Sequence, residues 1–373
     1  MKSPRSVKSR IGLTLTLASL PLAGLVPATA HADSSTVNVV GYSIVKSVFT
    51  KLEAGFQATP AGAGVNFTNS FGASDTQTNN VANGQSADLV NLSFTPNIAQ
   101  LVTAGKVPAN WASQEFTLGG LNVALQGSKQ QTTYPTPGIL TDSAVVFVVR
   151  AGNPLKIGPS WLKLVKPYTT STGAGKHKVV TSHTYGIVTP NPTTSGSARW
   201  NLIAAYAGAI AAGDSKSQAT SYLQSLLTNT VAQPVSGSAA LAAFLSGTGD
   251  VLLSYEDDAL AAVAAGSPVQ IVYPSKTILI ENPVALTNSG LSNPAAKAFY
   301  TYLFSSAGQT ILAQNGYRPV TKSVWQTTAS TFHNFGGSAI PITTFDPSGW
   351  AALNGQFFDP STGIVSQLEQ SIG

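Results

Sequence analysis

The spacing of apolar positions changes period along the chain. Residues 37–42 form a short β-type run, and directly after it Val45, Val48, Phe49, Leu52 and Phe56 fall at i, i+3, i+4, i+7 and i+11, the spacing of one helix face. A strand followed by an amphipathic helix is predicted there. Residues 65–68 repeat the β signal, 70–77 form a small-residue turn entering a helical stretch, and 88–92 read as a third strand. Such β–α–β repetition predicts a parallel sheet with its loops gathered at the carboxyl ends of the strands. Residues 144–150 are an unbroken apolar run ended by Gly152-Asn153-Pro154, the pattern of a strand buried on both faces. Residues 168–183, rich in Thr, Ser, Gly and Lys, show no periodicity and are expected to be a surface insertion, with Val179-Val180 as a short strand. Farther on, 250–255, 269–273 and 277–286 read as strands, and 294–314 as one long helix stopped at Asn315-Gly316. The tail from Val324 is loop-rich, with one helix after Trp350 and another at the end.

Charge changes this picture at the N-terminus. Lys2, Arg5, Lys8 and Arg10 precede an apolar stretch over 11–25, and Ala30-His31-Ala32 offers small residues for cleavage before Asp33. Residues 1–32 therefore read as a signal peptide cleaved near Ala32, and the mature product as a periplasmic or secreted protein. Of 20 Lys and Arg, these four lie before the first acid, so the mature chain keeps 16 against 15 Asp and Glu. A net charge near +1 gives no argument for nucleic acid or for an anionic membrane. Cysteine is absent, which excludes disulfides, thiolate metal sites and a cysteine nucleophile. Charged residues are only 9% of the chain, against about 25% in ordinary domains, an economy that would suit an acidic medium.

Candidate chemistry is sparse. His177 and His183 are six residues apart in the insertion, without helical spacing or an acidic companion, so no metal and no cofactor is expected. No Gly-x-Ser-x-Gly elbow and no phosphate-binding P-loop sequence occurs. Glu256-Asp257-Asp258 opens a helix, where three acids are simple partners of its dipole. What recurs is a small-residue turn entering a helix, at Ser43, Ser74, Ser195 and Ser236. In the stretch 189–207, Pro190 and Pro192 hold the approach extended before Thr194, Ser195, Gly196 and Ser197 run into an Ala/Leu/Ile segment. Free N–H groups and the dipole at such ends can hold an anion without lysine or arginine. An exported hydrolase is the competing class.

These segments resemble the periplasmic sulfate- and thiosulfate-binding proteins of ABC importers. Residues 189–206 are similar to that family's Thr-Pro-Asn-Pro-Lys-Ser-Ser-Gly-Gly-Ala-Arg-Trp-Asn segment, and 249–256 to its Gly-Asp-Val-Leu-Leu-Ala-Trp-Glu. Further similar stretches are 87–90, 147–154, 271–284 and 308–319, so the resemblance runs from Val37 to the end. It implies an α/β, two-lobe (type II) periplasmic-binding-protein fold whose lobes are joined by crossing strands and close on a ligand. One lobe would comprise 33–142 plus 283–331 and the other 143–282, with 332–373 as a tail packing on the lobes. The resemblance further implies a monomer that delivers its anion to a cognate ABC permease.

Carried over residue by residue, the family's contacts fall at Ser43, Ser74, Ser195, Gly196, Ser197 and Gly237, and its indole donor falls at Tyr255. Arg199 is expected to brace the loop or form a pairing rather than touch the ligand. Three departures bear on the anion: Asp75 and Ser197 stand where the family has glycine, and Tyr255 where it has tryptophan. Sulfate at neutral pH has only acceptors, so a carboxylate facing it is repulsive, whereas a protonated oxyanion could donate to Asp75. Sulfate or thiosulfate is the first expectation, with Asp75 capping its helix outside the cleft. Phosphate, using Asp75 as proton acceptor, is the alternative.

Overall fold

The computed structural model describes Met1 and residues 35–114 and 138–372. The expected signal peptide beyond Met1, its cleavage point and residues 115–137 of the expected first lobe lie outside the described residues. One curled sheet of eleven strands organises the rest: eight run in the order β2-β1-β3-β11-β4-β9-β7-β8, β10 and β12 also pair with β4, and β13 pairs with β11. Its strands are β1 (Thr36–Tyr42), β2 (Asn66–Gly72), β3 (Leu89–Asn91), β4 (Ile139–Arg150), β7 (Ile187–Val188), β8 (Thr230–Ala232), β9 (Val251–Tyr255), β10 (Val269–Val272), β11 (Thr277–Leu286), β12 (Arg318–Pro319) and β13 (Ala339–Pro341). The β–α–β reading holds: β1 is parallel to β2 and β3, and β7 is parallel to β8 and β9.

Two long strands join these parallel groups. β11 pairs antiparallel with β3 through Val284–Leu286 and with β4 through Leu279–Pro283, while β4 continues from Val145 to Val149 along β9. Both strands are buried along nearly their whole length. That burial on two faces explains why 144–150 of β4 reads as a continuous rather than an alternating apolar run. The result is the two-lobe α/β arrangement, with a strand group on either side of the β4–β11 crossing.

Most helices follow the spacing of the chain. α1 (Lys46–Gln57) buries Val48, Phe49, Leu52 and Phe56, and Phe56 packs on Phe299 at 5.3 Å between ring centroids. α2 (Ser74–Ala82) and α3 (Thr95–Thr103) cover the first group. In the second, α4 (Gly196–Ala211) is buried almost all round, which its alanines and glycines permit: a Cβ on Gly208 would lie 2.1 Å from the Trp161 ring. α5 (Lys216–Thr228), α6 (Gly237–Leu245) and α7 (Glu256–Ala264) complete it.

One expectation needs correction, and one is filled in. The helix predicted over 294–314 is broken into Pro294–Phe304 and Ser306–Gln314, because Ser305 adopts an extended backbone and its hydroxyl accepts from the Gly308 N–H at 3.2 Å. The 168–183 segment lies on the surface as expected, and Val179-Val180 belong to a strand: it is an exposed β-hairpin, β5 (Tyr168–Thr172) with β6 (Val179–His183), steadied where Tyr168 stacks on His183 and Tyr185. Local pairing of threonines and valines, not a core-facing stripe, holds it.

The tail ties both groups together. Trp350 makes edge contacts with Phe94 from the β3 side, at 5.1 Å, and with Trp200 of α4, at 4.7 Å, while β13 adds to β11 in parallel. Trp350→Ala should lower unfolding stability by about 3–5 kcal/mol in urea titrations, as for other buried aromatic deletions. A loss below about 1 kcal/mol would show that the tail is not part of the cooperative unit.

Candidate functional site

Four chain turns meet where the two strand groups face each other. Ser43 opens a 3-10 turn at the end of β1, and its hydroxyl accepts from the Ser238 N–H at the start of α6, 3.4 Å away. Gly237 lies against Ile44, and a Cβ there would come 3.3 Å from the Ser197 hydroxyl. Gly196 lies against Ser93: a Cβ on it would fall 2.2 Å from the Ser93 hydroxyl and 2.6 Å from the Phe94 ring. The Asp75 N–H donates to the Thr194 carbonyl at 3.1 Å. The expected residues Ser43, Asp75, Gly196, Ser197 and Gly237 are thus brought to one seam.

Ser93, just past the end of β3, was not anticipated. Its N–H donates to the Ser74 hydroxyl at 3.0 Å, and its carbonyl accepts from the Trp200 indole at 2.7 Å and from the Asn282 amide at 3.1 Å. With the backbone held on three sides, the Ser93 hydroxyl is wholly buried and has no partner. The signal was available, since Ser93 follows a strand end just as Ser43 and Ser74 do. Ser74 itself is less free than expected, because its hydroxyl donates to Asn97 at 2.7 Å.

The donors of the second group are the N-termini of α4 and α6. Ser195 is the N-cap of α4, and its side chain makes no capping bond. Gly196 and Ser197 are the first two helical residues, whose N–H groups have no intrahelical acceptor. Tyr255, at the end of β9, is fully buried; its hydroxyl faces Ser197, Asn282 and Ser93 without completing a hydrogen bond to any. Burial pushes the Tyr255 phenol well above its usual range, so it is a neutral donor.

Asp75 is placed differently from both expectations. It lies in the first turn of α2 but caps nothing; one oxygen accepts from Asn97 at 2.7 Å and the other pairs with Arg199 of α4. Burial raises its carboxyl above the usual range while Arg199 and Asn97 pull it back. Both oxygens are engaged, so Asp75 is not poised as the proton acceptor of a phosphate. Arg199 braces the loop, as expected, through Pro192 and Asn354, and lies over the Phe94 and Phe358 rings.

The histidines lie elsewhere: His183 bonds Thr170 in the hairpin, and His333 stacks on Tyr273. Among the described residues no cluster of three His, Asp or Glu is arranged to hold a metal, and no helix is long and apolar enough to cross a membrane. Neutral hydroxyls and N–H groups that converge without a base or a metal are suited to holding an oxyanion.

A model of the bacterial extracellular solute-binding protein family matches residues 37–318. The chain belongs to that family. It is 34% identical to the sulfate-binding protein SubI from Mycobacterium tuberculosis, whose structure it matches with a TM-score of 0.73 over 87% of this chain and 100% of that one. A sulfate-binding protein of Synechococcus elongatus is 28% identical over 90% of this chain and 87% of its own. A thiosulfate-binding protein of Pseudomonas aeruginosa is 29% identical over 81% and 83%.

Behind the cleft of this solute-binding protein lies a group of buried acids. Glu256, Asp257 and Asp258 open α7 as expected, yet all three are buried, and they do more than meet a dipole. Arg318 grips Glu256 with two bonds, at 2.6 and 2.9 Å, and the Ser143 hydroxyl donates to Asp257. Burial pushes Asp257 from 3.8 up to about 8 and Asp258 up to about 6. Each therefore holds a proton in the folded chain at pH values where the unfolded chain has released it. Stability should fall as pH rises from about 4 toward these values, by about 1.4 kcal/mol per pH unit for each proton. Thermal melts between pH 5 and 8 check this: the midpoint should drop with rising pH, and Asp257→Asn should flatten the upper half of the curve.

Proposed function

We propose that this chain is an exported, non-catalytic binding protein that captures sulfate or thiosulfate between its lobes and presents it to an ABC importer. The named relatives support the ligand, and one observation carries the reading: the buried, unpartnered Ser93 and Tyr255 hydroxyls face the N-terminus of α4, whose Ser197 lies beside Gly237 at the start of α6. Ser43, Ser195, Gly196, Ser197 and Gly237 supply the remaining donors in this reading, with Ser74 positioning Ser93 and Asp75 positioning Arg199. The lobes are taken as 33–142 plus 283–331 and 143–282, which places the hinge on β4 and β11, with 332–373 as the tail. Phosphate is not favoured, because Asp75 is spent on Arg199 and Asn97.

Isothermal titration with sulfate, thiosulfate, phosphate and molybdate tests the reading. Sulfate or thiosulfate should bind most tightly, and absence of binding to every oxyanion together with turnover of an ester would sink it. Ser93→Ala, Ser195→Ala and Tyr255→Phe should each weaken binding by about 1.5–3 kcal/mol, the scale of a hydrogen bond to a charged partner. Changes at His177 or His183 should leave it alone.

Asp75→Gly separates the two anions. The ratio of sulfate to phosphate affinity should stay unchanged, while stability drops by about 2 kcal/mol because the Arg199 guanidinium loses its partner. A steep rise in that ratio would place Asp75 against the anion after all.

A further inference from the structure

The acids behind Tyr255 pose a problem for a site that takes a dianion. Asp257 is fully buried; one oxygen accepts from Ser143 on β4, and the other, Oδ2, has no partner. The groups facing it are Tyr42 from β1, Tyr255 from β9, Tyr317 ahead of β12, and its own neighbours Glu256 and Asp258. None of these is a cation. Arg318 is the only buried Lys or Arg among the described residues, and it is committed to Glu256 and the His333 carbonyl. On the far side of Arg318, Asp142 and Glu281 sit opposite each other across β4 and β11, adding acid and not relief.

The Tyr42 hydroxyl, buried without a partner among these acids, is a second polar group aimed into the cluster. Tyr255 faces Asp257 and also the cleft hydroxyls of Ser197 and Ser93. An anion in the cleft and a charge on Asp257 would thus be separated by little more than one tyrosine side chain in a water-poor interior, where repulsion is weakly screened.

We propose that Asp257 is a proton-binding site at the crossing of β4 and β11, and that capture of an oxyanion in the neighbouring cleft takes up a proton from solvent onto its carboxylate. The inference rests on the oxyanion reading of the cleft. The upward displacement of the Asp257 carboxyl by burial puts the exchange in the accessible range. Protonation removes the charge that opposes the anion and gives Oδ2 a hydrogen to donate. The protein then captures an anion together with a proton, tightest at neutral to mildly acidic pH.

Titration of the full chain with sulfate at pH 8, in Tris and in imidazole, reads the proton directly. The heats should differ by the uptake of roughly half a proton per anion, and affinity should fall toward tenfold per pH unit above about 8. Asp257→Asn should abolish both the buffer dependence and this fall. Equal heats in the two buffers, or wild-type affinity that stays flat from pH 7 to 9, would overturn the proposal. If Asp257→Asn does not fold, the wild-type pair of titrations decides alone. If no oxyanion binds, the reading of the cleft fails instead, and carboxyl 13C NMR of the unliganded chain still decides the proton: an Asp257 ionised at pH 7 refutes it.

Discussion

The antiparallel pairing of β4 with β11 is the constraint on which the rest of this molecule depends. Among the described residues these strands are the only long elements that belong to both strand groups, and their neighbours on each side are fixed by register: β3 on Val284–Leu286, β9 on Val145–Val149. Because they are buried on both faces, every polar group they carry at the crossing must find a partner inside the protein. The Asn282 amide N–H of β11 holds the Ser93 carbonyl, Ser143 of β4 donates to Asp257, and Arg318 of the adjoining β12 docks on Glu256 beside Asp142. The crossing is therefore polar within an apolar sheet, and both the cleft and the acid cluster are built from it.

The oxyanion site proposed for the cleft rests on the same economy. A dianion without protons can use only donors, and a site assembled from hydroxyls and N–H groups offers them without introducing a counter-charge that water would have to solvate. The Asp75–Arg199 ion pair at the seam is closed on itself and joins α2 to α4 across the two groups. It acts as a lateral tie. Gly196 matters through its missing side chain, since only a bare Cα lets α4 come so close to Ser93 and Phe94. Trp200 and Trp350 then seal the seam from behind, the indole of the first holding the Ser93 carbonyl and the ring of the second lying between Phe94 and Trp200.

Much of this was determined by the sequence alone. Apolar spacing gave α1 and its buried stripe, the unbroken run 144–150 gave most of β4, and the recurrent small-residue turns marked Ser43, Ser74, Ser195 and Ser236 as helix entries, because period, proline and capping act over a few residues. Other features were decided only by tertiary structure. Asp75 reads as a helix cap until Arg199, far away in sequence, takes its carboxylate. Ser93 reads as an ordinary loop serine until Ser74, Trp200 and Asn282 immobilise its backbone and leave its hydroxyl without a partner. The acids of 256–258 read as dipole partners until the crossing strands bury them. In each case local preference named the residue, while long-range burial set its charge, its partners and its role, since desolvation depends on everything packed around a group and not on its neighbours in the chain.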